Sequence, residues 1–406
     1  MKILFYIILG ILVMQPVNAA IDAYVDGFSS AANTGAAVAM LLILAIIRKK
    51  IDFPTVTLFL HITVVFFILS IQIVTLDQEL RSSMAYLARI VFTLIFYVVG
   101  LSLAQNNNEY IEKRIIGAAV LILMIVVSLQ VVGKLIDFRP PSVAAFFETY
   151  YTFAYAKAFV GIAKHPAITA TLLLAVLPVL FYRALQGKPF LLMIVSIATI
   201  ATFRRSSWLV LAVFLLFYLL YYLIHIRPLL KNLILVIVGV IFLVLLWYVL
   251  PAEITGPVLE RALSEQGNLN SFGSGRLVFW SIILNAFANA DEIRILLGHG
   301  IGSVSRLLLL NFNLAIGSHN DLLDIVYSLG LIAGLSFCLL WLSFGLAAMQ
   351  RIQDRKKIYT VWALLIGNVV LSMTTGGVLE PQLAYSYFFL GWLMGSNNGG
   401  RNVNVN

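Results

Sequence analysis

An all-α membrane protein of about twelve transmembrane helices is the fold this sequence predicts, and three observations carry the prediction. Apolar residues make up 61% of the 406 positions and charged residues 11%, against about 45–50% and about 25% in a soluble domain. Apolar runs of bilayer-crossing length recur along the whole chain. A crossing helix needs roughly 20 such residues, because its backbone groups must find hydrogen-bond partners within their own segment. The polar interruptions are mostly brief, the longest being 251–318, which reads as one large helical loop between two spans. No separate soluble domain is expected, so 1–406 reads as a single membrane domain.

Taken in order, the expected spans are 3–20, 31–47, 54–75, 83–104, 115–133, 167–185, 189–203, 206–224, 232–250, 322–349, 358–375 and 383–395. A link rich in Tyr and Phe, 134–165, precedes the sixth. Lys2, an apolar run and Val17-Asn18-Ala19 also resemble a signal peptide with a small-residue cleavage site; cleavage would leave the later topology unchanged. The single cysteine, Cys338, lies inside a span and permits no intrachain disulfide.

The formal charge of +9 points to orientation and not to a nucleic-acid partner. With a cytoplasmic N-terminus, one side receives Lys2, the 48–50 cluster, Lys113, Arg114, Arg183, Lys188, Arg227, Lys231, Arg351, Arg355, Lys356, Lys357 and Arg401. That is the positive-inside pattern. The other side, including 251–318, is nearly balanced, so its arginines require local explanations.

Arg204 and Arg205 sit between two apolar runs with almost no loop around them. Charges so close to hydrocarbon mark a substrate path or an ion pair, or they snorkel to lipid phosphates. Arg276 opens an apolar stretch, 277–290, which fits an interfacial amphipathic helix, and Trp280 lies four residues on, on the same face. A guanidinium matches phosphate oxygens with its planar fork, although a charge at a helix end is also commonly structural. His319 falls where the loop meets the next span, and Ser318 followed by Asp321 reads as a capping box. An imidazole in the first helical turn is biased by the macrodipole toward its neutral form, which a general base must have. Asp321 and Asp324 oppose this, and a hydrogen-bonding cap is the plainer reading. His61, two turns inside a span, reads as a cross-helix hydrogen bond, and His165 and His225 as interfacial. Gly298 to Gly302 reads as a tight turn, and Asp77-Gln78-Glu79 as an exposed acidic turn. No His-Glu-x-x-His, paired-cysteine or Asp-x-Asp arrangement is present, the Asp77-Gln78-Glu79 oxygens being the one alternative for a divalent ion, and no cofactor is implied.

In order, these residues resemble the O-antigen ligase and O-antigen polymerase superfamily. Phe203-Arg204-Arg205-Ser206-Ser207-Trp208-Leu209 is similar to the family's Ser-Arg-Gly-Ala-Trp-Leu stretch, and Ser274-Gly275-Arg276 with Trp280 to its loop arginine and following tryptophan. Leu297 to Gly302 resembles its Gly-x-Gly turn, and His319-Asn320-Asp321-Leu322-Leu323, running on to Gly330 and Gly334, its His-Asn motif and glycine-punctuated helix. The resemblance covers about 165–345; Arg204 departs from the usual serine and Ser206-Ser207 from the Gly-Ala pair, which leaves open which arginine faces substrate. It implies a glycosyltransferase C-like fold in the bacterial inner membrane, with the 251–318 loop in the periplasm and both termini in the cytoplasm. It also implies an inverting, metal-independent transfer from a polyprenyl-diphosphate-linked glycan to lipid A core or to a lipid-linked glycan. Arg205, with Arg204, and Arg276 would hold the diphosphate, His319 would take the acceptor proton, and Asn320 and Trp280 would orient sugar. Membrane lipids and envelope glycan assembly proteins are the further partners implied. Two other readings remain: polymerisation of lipid-linked repeats, and export of a lipid-glycan without catalysis. The absence of a sequence signal for a broken helix tells against export.

Overall fold

The computed structural model describes residues 2–21, 53–75, 80–104, 109–135, 166–202, 204–225, 276–313, 317–374 and 381–395. Among these residues all regular secondary structure is helical, with no strand. The helices are α1 (Lys2–Val13), α2 (Gln15–Ile21), α3 (Phe53–Thr75), α4 (Leu80–Ala104), α5 (Glu109–Leu135), α6 (Pro166–Leu185), α7 (Phe190–Ile200), α8 (Arg205–His225), α9 (Arg276–Ala288), α10 (Glu292–Leu297), α11 (Ser303–Phe312), α12 (Asp321–Arg351), α13 (Arg355–Thr374) and α14 (Pro381–Gly395).

Seven of them, α3, α4, α5, α6, α8, α12 and α13, are long and apolar enough to cross a membrane. The protein is therefore multi-pass in character, but twelve spans are not reached among the described residues. The expected first span is two short helices that part after Val13. The run expected at 189–203 forms only the 11 residues of α7, a rise of about 16 Å against a hydrocarbon core of about 30 Å. At 15 residues, α14 is also short. The expected spans 31–47 and 232–250 lie outside the described residues, as do Asp77-Gln78-Glu79, His165 and the first part of the long loop, 251–275.

Two compact units emerge, each assembled from three stretches of chain: Met1–Ala36, Glu109–Gln266 and Asp354–Gly367 in the first, and Ala37–Asn108, Gly267–Gln353 and Asn368–Asn406 in the second. In the first unit α6 is the hub, packing against α2, α5, α7 and α8. Its side chains are buried almost throughout, which is why it is apolar on every face. Phe181 meets Phe214 of α8 edge to face at 5.2 Å. At one end of this unit three helices converge on a charged cluster: the Tyr182 hydroxyl donates to Asp354 at 3.2 Å, and the Lys357 ammonium lies 5.5 Å from the Tyr182 ring centre. Glu112 of α5 acts electrostatically on both Tyr182 and Lys357.

In the second unit α3 runs antiparallel to α12, tied by three polar rungs. Thr57 meets Ser343 at 2.7 Å, His61 Nδ1 meets Ser336 at 2.7 Å, and the Gln72 amide donates to Ser328 O at 2.8 Å. His61 thus makes the cross-helix hydrogen bond expected of it. Because the Ser336 hydroxyl donates to Ala333 O, it accepts from His61, which fixes the proton on Nδ1. α4 packs on α14 through Gly100, Gly391 and Gly395, where any Cβ would collide with facing backbone. Small residues at such a contact let two helix backbones approach within the bilayer.

α12 is broken at Gly330, whose φ of 81° and ψ of 175° are not helical. A break frees carbonyls, and free carbonyls in an apolar interior are costly. Here they are taken: Tyr327 O accepts from the His299 amide at 2.9 Å, and Ser328 O from the Gly300 amide at 2.9 Å and from Gln72. Gln72 also donates to Leu297 O at 2.6 Å, joining both sides of the contact. Gly298 (φ 81°) and Gly330 lie against each other's segments so closely that a Cβ on either would strike backbone. Hydropathy does not mark this break, because apolar residues continue on both sides of it.

Candidate functional site

Of the residues singled out by sequence, Arg204 and Arg205 belong to the first unit, and Arg276, Trp280, His319 and Asn320 to the second.

In the first unit α8 begins at Arg205, and Arg204 supplies the carbonyl that accepts from the Ser207 and Trp208 amides. The Arg204 guanidinium reaches α6, donating to the Thr171 hydroxyl at 3.1 Å. Trp208 donates its indole N–H to Ile200 O at 3.2 Å, fastening α8 to α7. Ser206 and Ser207 are buried, which accounts for small residues at both positions.

In the second unit three elements of the loop close over the start of α12. α9 starts at Arg276 as expected, but its apolar residues are not confined to one face. Ile283 is buried with Val304, Leu308 and Tyr327, whereas Leu277 and Leu284 are exposed. Arg276 donates to the carbonyl of Thr374, the last residue of α13. A guanidinium at a helix C-terminus offsets the partial negative charge of its unpaired carbonyls. Trp280, one turn on, donates its indole N–H to Ser318 O at 3.0 Å.

That bond fastens the turn carrying His319. The Ser318 amide donates to Asp324 at 3.2 Å; the Ser318 hydroxyl donates to Asn320 O at 2.9 Å and accepts from the Asn320 amide at 3.0 Å. The N-cap of α12 is Asn320, whose side chain accepts from the Leu323 amide at 3.1 Å, and not Ser318. The expected capping box gives way because Ser318 turns its hydroxyl onto its own turn, an alternative open to short hydroxyl side chains. His319 consequently precedes the helix instead of occupying its first turn, which weakens any macrodipole effect on its ring. Its backbone has φ 60°, one of two non-glycine residues with positive φ among the described residues. Such a conformation is uncommon outside glycine and persists only where its surroundings enforce it. Here Trp280 and Asp324 do so, while the His319 side chain stays partly exposed beside the buried Ser318 and Asn320.

Sequence reasoning missed Asp324 as a holder of this turn, and Gln72 and His299 as holders of the break. Gln72 carried a usable signal, since an amide inside an apolar span needs a partner. His299 stacks on Tyr327 at 4.3 Å and its Nδ1–H donates to Tyr327 O at 3.2 Å. Burial lowers its pKa below the ordinary 6.5, against the opposing pull of that carbonyl. An unfolded chain therefore takes up this proton before the folded one does. The stability that neutral His299 contributes is complete above about pH 6.5 and declines as pH falls through the lower folded-state value. Thermal unfolding followed from about pH 7.5 to 5 should show a steeper acid loss for the native chain than for His299→Gln. Equal slopes would rule the linkage out.

Among the described residues no three His, Cys, Asp or Glu side chains gather as a metal-ligand group. No protein-family model matches the chain, and no characterised protein matches it in sequence.

Proposed function

We propose that the protein is a glycosyltransferase of the bacterial inner membrane, moving a glycan from a polyprenyl diphosphate to a sugar hydroxyl of lipid A core, as O-antigen ligases do. What supports this reading most is the His319 turn. An imidazole is held in an uncommon backbone conformation at the mouth of a helix, pinned by Trp280 and Asp324, with Arg276 on the same loop. In the proposed reaction His319 takes the proton of the attacking hydroxyl as its oxygen bonds to the anomeric carbon. The bond from that carbon to the diphosphate oxygen breaks with inversion, and Arg276 offsets the charge that grows on the leaving group. Diphosphate binding by Arg205 and Arg204 is carried over from the resemblance alone, whereas an outer-face orientation for the site is supported by the charge distribution as well. Asn320 and Trp280 serve here as supports of the turn, Asn320 as its cap and Trp280 as its clamp.

One observation favours a second reading, export without bond formation. The broken helix α12 is a device found in transporters, but its freed carbonyls are already engaged by Gln72, His299 and Gly300.

The test is product chemistry. Purified protein in nanodiscs, given a polyprenyl-diphosphate-linked glycan and lipid A core, should yield core bearing the glycan through an inverted linkage. Lengthening of the lipid-linked chain would assign polymerase activity instead. Movement of the glycan across a vesicle membrane with no new linkage would overturn the transferase reading.

A further inference from the structure

α12 is longer than a bilayer requires. Its 31 residues rise about 46 Å, against a hydrocarbon core of about 30 Å, so part of it stands clear of the acyl chains. The break at Gly330 divides it unequally. From Leu331 to Arg351 the helix rises about 31 Å, which fills the core by itself. Along that stretch exposed Leu331, Leu335, Leu339, Leu342, Leu346 and Met349 recur at three- and four-residue intervals, one face of a helix. The shorter stretch before the break carries Asp321 and Asp324 in its first turn and follows the polar turn of His319. Gly330 therefore marks the border of the hydrocarbon on the side of the loop.

α10 lies at that border. It packs along α12, and the Leu296 carbonyl sits so close to Gly330 that a Cβ there would strike it. Ile293 and Leu296, three residues apart and so on one face, are 70% and 46% exposed. Leu331 and Ile332, the first residues past the break, are exposed as well, so the apolar stripe of α12 runs on to the loop. Single exposed aliphatic side chains are ordinary, whereas a contiguous apolar patch marks a contact. Charge does not attract the partner: Asp291, Glu292 and Arg294 give α10 and its cap no basic excess, and Asp291 and Arg294 pair at 3.3 Å. Such a face fits acyl chains and needs no anionic headgroup.

We infer that α10 is a lipid anchor: Ile293 and Leu296 enter the leaflet beside the loop, where headgroups meet acyl chains, and set the depth at which the loop rests on the membrane. The His299 and Gly300 amides, just past α10, bond to α12 at its break, so the anchor and the break form one attachment. The inference goes beyond the transferase reading and does not depend on it.

The test is the depth of a nitroxide label on the full-length protein in phosphatidylcholine nanodiscs. Cys338, the chain's single cysteine, is exposed among the stripe residues of α12, so a label on the native protein gives the lipid-facing reference. Asn289→Cys/Cys338→Ser, at an exposed polar position of the same loop, gives the aqueous one. A label on Ile293→Cys/Cys338→Ser should favour collisions with oxygen over a polar nickel complex several-fold more than the label at 289, at a depth of about 5–10 Å into the headgroup and acyl boundary. Leu296→Cys/Cys338→Ser gives the same reading if the first variant loses the native unfolding temperature. A label at 293 as open to nickel as the one at 289 would place this face in water and overturn the anchor. Shielding from both reagents would place it against protein, such as a second copy of the chain, and overturn it equally.

Discussion

Under the proposed transferase function, replacing His319 by glycine is expected to lower glycosyl transfer by about 100-fold or more while leaving the protein folded, because a positioned general base contributes roughly 10²–10⁴ in rate. Glycine is the informative substitution here. With φ at 60°, His319 pays a steric cost of about 1–2 kcal/mol that glycine does not. The glycine variant therefore removes the imidazole and keeps the turn. The Ser318 carbonyl accepts from Trp280, its amide and hydroxyl bond to Asp324 and Asn320, and the Asn320 side chain caps the helix at Leu323. His319→Asn is a useful companion, since asparagine tolerates the left-handed region and retains a polar side chain but no base. Both variants should show unfolding temperatures within a few degrees of the native protein. Full turnover by the glycine variant would remove His319 from the chemistry and leave it a turn residue.

The chain disclosed much of its membrane character and little of its internal fastening. Helix content was legible because 61% apolar composition and recurrent long runs leave few alternatives. The start of α9 at Arg276 and of α12 beside His319 were legible too, since both follow polar, turn-forming residues. What failed was finer. The run expected at 189–203 reads as a span by hydropathy, yet its helix ends at Ile200, and the Ile200 carbonyl accepts the Trp208 indole instead. Asn320 displaced Ser318 as the cap because residues two apart can both cap, and the choice depends on where the Ser318 amide and hydroxyl find partners. The Gly330 break left no mark in hydropathy. Its cause lies about 30 residues upstream, in the amides of His299 and Gly300 and the carbonyl of Leu296. A pattern read along one helix does not contain it.

That break supplies a large expected stability effect in the second unit. Gly330 combines a φ of 81° with ψ of 175°, a region almost closed to residues with a Cβ, at a cost of about 1–3 kcal/mol. A Cβ there would also collide with Leu296 O and sit 2.6 Å from Leu297 N. Both are backbone atoms, so no rotamer change relieves the contact, and the segment must separate from α12. Separation breaks the bonds from the His299 and Gly300 amides and from Gln72, and each buried carbonyl left bare costs about 1–3 kcal/mol more. Gly330→Ala should therefore destabilise by about 4 kcal/mol or more, an unfolding temperature lower by roughly 10 °C for a unit of this size. Gly302→Ala controls for positive φ alone. Its φ of 79° is close to that of Gly330, but its ψ of 0° lies in the left-handed region that residues with a Cβ can enter, and nothing lies within 4 Å of its Cβ, so it should cost only about 1–2 kcal/mol. Equal losses in the two variants would mean that neither the ψ of 175° nor the contact with Leu296 adds to the cost at Gly330. A much larger loss at Gly330 would locate it in the broken helix, where the loop that carries the Gly298 turn is held against the helix that His319 precedes.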